Sequence, residues 1–153
     1  MSIETDLRPG EIAAAGAPRA DAALTFIGRI RTPWTSRADC PKQGDAVDGP
    51  VCRVEVDPPW DRALDGIEAI EMLDLLYWLD RSRRDLLVQV PHGGMPRGTF
   101  ALRSPVRPNP IGLSRVRLVG REGAVLLVRG LDCLDGTPLV DLKPARCAHS
   151  AGA

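Results

Sequence analysis

The stretch Arg103-Ser-Pro-Val-Arg-Pro-Asn-Pro-Ile-Gly-Leu-Ser-Arg-Val-Arg117 carries the reading of the fold. Pro105, Pro108 and Pro110 stand with Asn109 and Gly112 between two arginines and the start of an apolar run. Proline fixes φ, removes an amide donor and pushes the residue before it to extended conformations. Arg107-Pro-Asn-Pro-Ile-Gly112 is therefore expected to be neither a helix nor an interior strand but a stiff, shaped loop. A stiff loop bearing two guanidiniums and a carboxamide suits binding, because binding groups sit on loops held by a rigid scaffold. The competing reading is a connector that only turns a corner.

On the C-terminal side of this stretch, Leu113 to Arg121 and Ala124 to Asp132 predict two strands joined at Glu122-Gly123. Leu134-Asp-Gly-Thr-Pro138 predicts a tight turn, and Leu139 to Leu142 a last strand stopped by Lys143-Pro144. On the N-terminal side, Thr99 to Leu102 predicts a short strand, Pro91 to Gly98 a loop, and Asp85 to Val90 a strand. Ile67 to Leu79 fits both a helix, by its apolar spacing, and a buried strand, by its Leu-Leu-Tyr-Trp-Leu run. Val51 to Asp57 alternates as a strand with one wet face; Pro58-Pro59 ends it and opens a short helix over Asp61 to Leu64. Leu24 to Arg31 predicts the first strand. Trp34 to Gly49, with Arg37, Lys42 and Gln43, is a long loop expected to cover a pocket.

Residues 1–22 and 146–153 predict flexible tails around one β domain over 23–145; an Ala-rich helical turn at Ile12 to Ala15 is the one candidate element in the first tail. Short strands broken by Gly/Pro turns point to a mainly antiparallel sheet or barrel. Long βα alternation and Gly-x-Gly-x-x-Gly are missing, which argues against a Rossmann domain.

The 153 residues are enough for one core, and 20 basic against 20 acidic residues give a formal charge of zero. With aromatics at 4%, that balance argues against a surface devoted to nucleic acid, while a local basic patch stays open. Cys40, Cys52, Cys133 and Cys147 form no CxxC pair, and His92 and His149 are far apart, so no metal site is expected. Reduced thiols in a cytoplasmic protein are the plain reading. No membrane span and no signal peptide are expected.

The charged groups form no hydrolase triad. Asp132 and Asp135 flank a turn, and Asp135-Gly136 is an ordinary turn pair. Asp141 points either to solvent or in towards a buried partner such as Lys143 or an arginine. Arg103 and Arg107 are planar donors suited to carboxylate or phosphate. Arg115, Arg117 and Arg121 alternate along a predicted strand and are expected to share one face. These residues alone support a β domain that binds a small charged ligand.

Arg103 to Ser114, followed by Leu131-Asp-Cys-Leu-Asp-Gly-Thr-Pro-Leu-Val-Asp-Leu-Lys-Pro144, resembles the TrmO family, also called TsaA-like or YaeB-like. Phe26-Ile-Gly-Arg-Ile-Arg-Thr-Pro33 and Gly66-Ile-Glu-Ala69 match the same family in the same order, so the resemblance runs over Leu24 to Pro144. It implies a small antiparallel β-barrel with short helices and long loops, binding S-adenosyl-L-methionine without a Rossmann fold, in a homodimer. The implied activity is N6-methylation of N6-threonylcarbamoyladenosine next to the tRNA anticodon. By the same resemblance the cofactor lies against Lys42, Gln43 and Gly44, Asp80 and Arg81, Arg103, Leu113, and Gly130, Leu131, Asp132 and Cys133. Asp135 or Asp141 is the candidate proton acceptor, Asn109 orients the base, and Arg107 and Lys143 stand on the substrate side.

Three departures qualify the match. Glu71-Met72 stands where the family often has Ser-His, Leu102 where Thr is common, and Ala145 where Tyr is usual. They spare the cofactor loops and remove polar or stacking groups expected to face the substrate. Two alternatives follow: a barrel that methylates a different, smaller substrate, and a non-catalytic module that only binds S-adenosyl-L-methionine.

Overall fold

A computed structural model describes residues 6–16 and 19–146. The described chain forms two compact units. The segment through Ala23 joins Asp80–Pro110 in one, and Leu24–Leu79 joins the chain from Ile111 onward in the other.

The second unit is a closed antiparallel barrel of six strands, as the motifs imply. Numbering all strands in chain order, it contains β2 (Gly28–Arg31), β3 (Cys52–Val56), β4 (Met72–Trp78), β7 (Ile111–Glu122), β8 (Val125–Arg129) and β9 (Thr137–Pro144), in the order β2-β3-β8-β7-β4-β9. Period-two alternation builds its interior: Ile30, Val54, Leu73, Leu75, Val116, Leu126, Val128 and Leu139 are all buried. The ambiguous Ile67 to Leu79 resolves into a 3-10 turn, Ile67–Ala69, and strand β4. Pairing with β7 on one edge and β9 on the other decides it, because a strand wedged between two neighbours satisfies its backbone on both sides.

Two bulges re-aim side chains. The β7–β8 register shifts between Leu118 and Gly120, which places Arg121 opposite the buried Leu126. The expectation that Arg115, Arg117 and Arg121 share one face therefore fails at Arg121: one extra residue flips every later side chain. Arg121 instead reaches the Leu64 carbonyl at 3.2 Å and the Glu68 carboxylate at 2.6 Å, beside the two 3-10 helices Trp60–Leu64 and Ile67–Ala69. A second shift, between Leu76 and Tyr77 on the β4–β9 ladder, sets Leu76 against Asp141 and Tyr77 against Leu139.

The first unit holds a three-stranded sheet of β1 (Ile12–Ala13), β5 (Leu86–Gln89) and β6 (Arg97–Gly98). The helical turn expected at Ile12 to Ala15 is instead a strand within the predicted tail. Ile12 pairs with Val88, Ala13 pairs with Leu86, and the Ala14 amide donates to the Asp85 carbonyl at 2.7 Å. Residues 147–153 of the predicted C-terminal tail lie outside the described residues. Thr99–Ala101 is a 3-10 turn and not the expected strand. The buried Thr99 hydroxyl donates to the Leu86 carbonyl at 2.6 Å and accepts from the Gln89 amide at 3.0 Å, which holds the backbone in a turn. The proline loop behaves as the prolines require up to Pro110, but Ile111 and Gly112 already belong to β7. The proline restriction acts at and before each ring, so residues after the last one are free to pair.

Candidate functional site

The long loop between β2 and β3 is tied down by its own side chains. The Asp45 carboxylate accepts the Val47 and Asp48 amides at 2.8 and 2.9 Å, and these bonds hold its ionisation below the ordinary carboxylate range. Arg129 donates to the Gly49 carbonyl at 2.7 Å. Gly44 packs backbone against backbone on Gly130, so closely that a side chain there would enter the Gly130 carbonyl oxygen. Gly130 has φ +116°, a conformation suited to glycine, and it ends strand β8. The sequence motifs Lys42-Gln43-Gly44 and Gly130-Leu131-Asp132-Cys133 are thus brought together, with Lys42 and Gln43 exposed.

Beside this contact lies a polar cluster that sequence reasoning missed in two of its three members. Tyr77 on β4 is 3% exposed, and its hydroxyl stands 2.7 Å from the Ser114 hydroxyl and 2.9 Å from Oδ1 of Asp132. Ser114 Oγ lies 3.2 Å from the same carboxylate oxygen. Oδ2 of Asp132 accepts no hydrogen bond from the described residues. Burial, then the Asp132 charge, drives the Tyr77 phenol well above its ordinary ionisation. Burial, then Asp132, also raises the Cys40 thiol, so the loop residue Cys40 stands within the field of the same carboxylate. One signal for Tyr77 was available: it is in phase with Leu73 and Leu75, and a buried phenol needs a hydrogen-bond partner.

Among the other predicted cofactor residues in the barrel unit, Leu113 is 49% exposed, whereas Leu131 and Cys133 are buried in the core. Their side chains serve packing, while Asp132 between them is half-buried and lies outside any strand. Burial pushes the Cys133 thiol up to about 12. For Tyr77 and Cys133 the folded ionisation lies above the unfolded one, so their stabilisation is complete below about pH 9 and fades as pH rises through the folded values. The urea midpoint is expected to fall between about pH 8 and pH 11, and Cys133→Ala, though less stable at pH 8, is expected to show a shallower fall. An equally steep decline in that variant would remove Cys133 from the cause.

Asp135 is a brace. Its carboxylate accepts the Thr32 amide at 3.1 Å, its own amide donates to the Trp34 carbonyl at 2.7 Å, and the Gly136 amide donates to Ile30 at 2.8 Å. Asp141 takes the outward alternative: it lies opposite Leu76, is 46% exposed at the side chain, and pairs with Lys143 at 3.2 Å. Asp141 and Lys143 line a separate, largely apolar cavity of about 460 Å³ with Ile27, Trp60, Ile67 and Leu142. Asp132 and Asp135 do not line it. The predicted proton acceptors therefore belong to two different surroundings within the barrel unit.

Asp80, Arg81, Arg103, Arg107 and Asn109 belong to the other unit. Asp80, Arg81, Arg103 and Asn109 are exposed. The Arg107 guanidinium is used within its loop, donating to the Leu102 and Ser104 carbonyls at 2.8 and 2.9 Å and lying 6.0 Å over the Phe100 ring. No described helix is long and apolar enough to cross a membrane.

Comparison with known proteins places these features in a family. The model of the tRNA-methyltransferase O N-terminal domain matches residues 29–147. The probable S-adenosyl-L-methionine-binding protein VirR of Rhizobium radiobacter is 52% identical over 143 residues, 93% of this chain and 81% of that protein. The putative S-adenosylmethionine-dependent methyltransferase RcsF of Pseudomonas aeruginosa is 38% identical over 129 residues, 80% of this chain and 56% of that protein. The crystal structure of TrmO from Pseudomonas aeruginosa superposes with a TM-score of 0.69 at 32% identity, over 88% of this chain and 60% of that one. The chain thus spans less than two thirds of the last two proteins. A family model that covers most of the sequence, and a relative identical at more than half of its aligned positions, lead to one assignment: this chain belongs to the TrmO family.

Proposed function

We propose that this chain is an S-adenosyl-L-methionine-dependent methyltransferase whose acceptor is N6 of N6-threonylcarbamoyladenosine beside the tRNA anticodon. The observation that carries the cofactor part is the Asp132 cluster. A half-buried carboxylate with one oxygen held, and the other without a hydrogen-bond partner among the described residues, stands next to a loop docked backbone to backbone. That donor set fits a cationic ligand rich in N–H and O–H groups: the carboxylate complements its charge and takes one of its protons in a hydrogen bond. When bound, S-adenosyl-L-methionine supplies an electrophilic methyl group on a sulfonium.

The residues then divide the remaining work. Asp132 and the backbone around Lys42, Gln43, Gly44, Gly130, Leu131 and Cys133 hold the cofactor, with Leu113 as an apolar contact. Asp80, Arg81 and Arg103 are assigned to the cofactor as well. The task is to place an acceptor nitrogen in line with the methyl carbon and to exclude water. A carbamoylated N6 carries an acidified proton, and Asp135 or Asp141 accepts it, with Asn109, Arg107 and Lys143 on the acceptor side. The reading also includes a homodimer in the cytoplasm.

One observation favours a second reading, a smaller acceptor. Arg115, Arg117 and Arg121 are in ion pairs with Asp74, Glu71 and Glu68. Arginines already neutralised by carboxylates offer tRNA phosphates little.

The test is calorimetry with S-adenosyl-L-methionine, then incubation with tRNA lacking the N6-methyl group and mass analysis of its nucleosides. Cofactor binding with one methyl gained on threonylcarbamoyladenosine is expected, with tRNA affinity that falls steeply with salt. Binding without methyl gain on tRNA favours the second reading, and no binding at millimolar cofactor overturns both. Asp135→Asn and Asp141→Asn proteins that both keep the full rate would remove the proton-acceptor assignment.

A further inference from the structure

Tyr77 is the only tyrosine of the chain, and nothing in the sequence motifs singles it out. It is buried in the barrel, and its ring stands so close to Gly112 that a side chain there would collide with it. Three oxygens meet at its hydroxyl: its own, Ser114 Oγ at 2.7 Å and Asp132 Oδ1 at 2.9 Å. Each hydroxyl has one proton to give. The phenol donates to Asp132, so the shorter Tyr77–Ser114 contact is filled by the serine proton, and the 3.2 Å approach of Ser114 to Oδ1 is secondary. The result is a relay, serine to phenol to carboxylate, that polarises towards Oδ1 and fixes the plane of the carboxylate.

We propose that Tyr77 is a positioning residue for ligand binding: with Ser114 it holds Oδ1 of Asp132, so that Oδ2 is presented to an N–H or O–H donor of the cofactor. This rests on the reading of Asp132 as a cofactor residue. A tyrosine is suited to the task because the barrel wall around it is rigid. Its ring is packed between the core and Gly112, so the hydroxyl cannot swing away from the carboxylate. Phenylalanine at this position keeps the packing and removes only the donor.

The experiment uses S-adenosylhomocysteine as a stable probe, on the full chain, in wild type, Tyr77→Phe, Asp132→Asn and the double variant. Tyr77→Phe is expected to weaken binding about tenfold while keeping a wild-type circular dichroism spectrum, as loss of one hydrogen bond to a charged group requires. Because Tyr77 acts through Asp132, the double variant is expected to bind no more weakly than Asp132→Asn alone. A second readout is spectroscopic. Labelling with ring-¹³C tyrosine gives a single Cζ resonance, and saturating ligand is expected to move it, which a purely structural tyrosine would not show. Effects of the two substitutions that add, wild-type affinity in Tyr77→Phe, or an unmoved Cζ resonance at saturation each overturn the inference while leaving cofactor binding intact. Absence of binding in the wild type overturns it together with the proposed function.

Discussion

Gly112→Ala is expected to cost the barrel about 3 kcal/mol, or to prevent folding. Gly112 lies within strand β7 and pairs with Tyr77 on β4. A glycine inside a strand is ordinarily a weakness, and replacing it with alanine gains about 0.5–1 kcal/mol through reduced unfolded-state entropy. Here the sign reverses. A Cβ at this position overlaps Cε2 of the Tyr77 ring, with Cζ only 2.6 Å away. The ring cannot yield, because its edge packs in the core and its hydroxyl is tied to Ser114 and Asp132. Urea unfolding measures the loss. Adding Tyr77→Leu to Gly112→Ala removes the collision, so the double variant is expected to be more stable than Gly112→Ala alone. A Gly112→Ala protein with a wild-type midpoint would mean that the ring does not sit on this glycine.

Gly44→Ala is expected to weaken S-adenosylhomocysteine binding at least tenfold, with little change in the thermal midpoint of the barrel. The two glycines differ in what they touch. At Gly112 the obstacle is a side chain in the core; at Gly44 it is the Gly130 backbone, whose carbonyl oxygen and carbon would both be overlapped. Gly130 is itself held, with φ +116° and the Arg115 carbonyl and Ala46 against it. The loop therefore has to lift, and the Asp132 side of the barrel loses its cover. Calorimetry measures the affinity, and brief trypsin treatment followed by mass analysis measures exposure at Arg37 and Lys42. Faster cleavage there is the expected companion of weaker binding. Unchanged affinity and unchanged cleavage would show that the loop does not need this docking.

Most of the architecture was legible because antiparallel strands declare themselves by alternation and by the residues that end them. Val51 to Asp57 and Leu139 to Leu142 contain or fall within β3 and β9, and the hairpin at Glu122-Gly123 joins β7 to β8. The errors have local causes. Thr99–Ala101 reads as a strand by composition, but a buried threonine hydroxyl and Gln89 turn it. Ile12–Ala13 reads as part of a tail because a two-residue strand has no period to detect, and its partner β5 lies more than seventy positions along the chain. Arg121 departs from the face of Arg115 because a bulge is a property of two strands in register, and neither strand carries it alone.

The site divides in the same way. Asp132, Gly44 and Gly130 were reached through the resemblance to the TrmO family, and the backbone contact between the two glycines came only with the structure. Which carboxylate carries which surroundings could not be found from motifs. Asp132, Asp135 and Asp141 stand within one short segment, yet one is held by buried hydroxyls, one braces a turn, and one pairs with Lys143 on the outer face.

By itself the sequence determined most of the barrel's strand pattern, the presence of a stiff proline loop and the family, because these depend on the order of neighbouring residues: proline geometry, period-two alternation and unbroken motifs. Only the tertiary structure decided that Ile67 to Leu79 ends in a strand, that Arg121 turns to the 3-10 helices, and that Tyr77 and Ser114 hold Asp132. Each of those depends on residues brought together by barrel closure, where pairing register and burial assign partners that separation along the chain conceals.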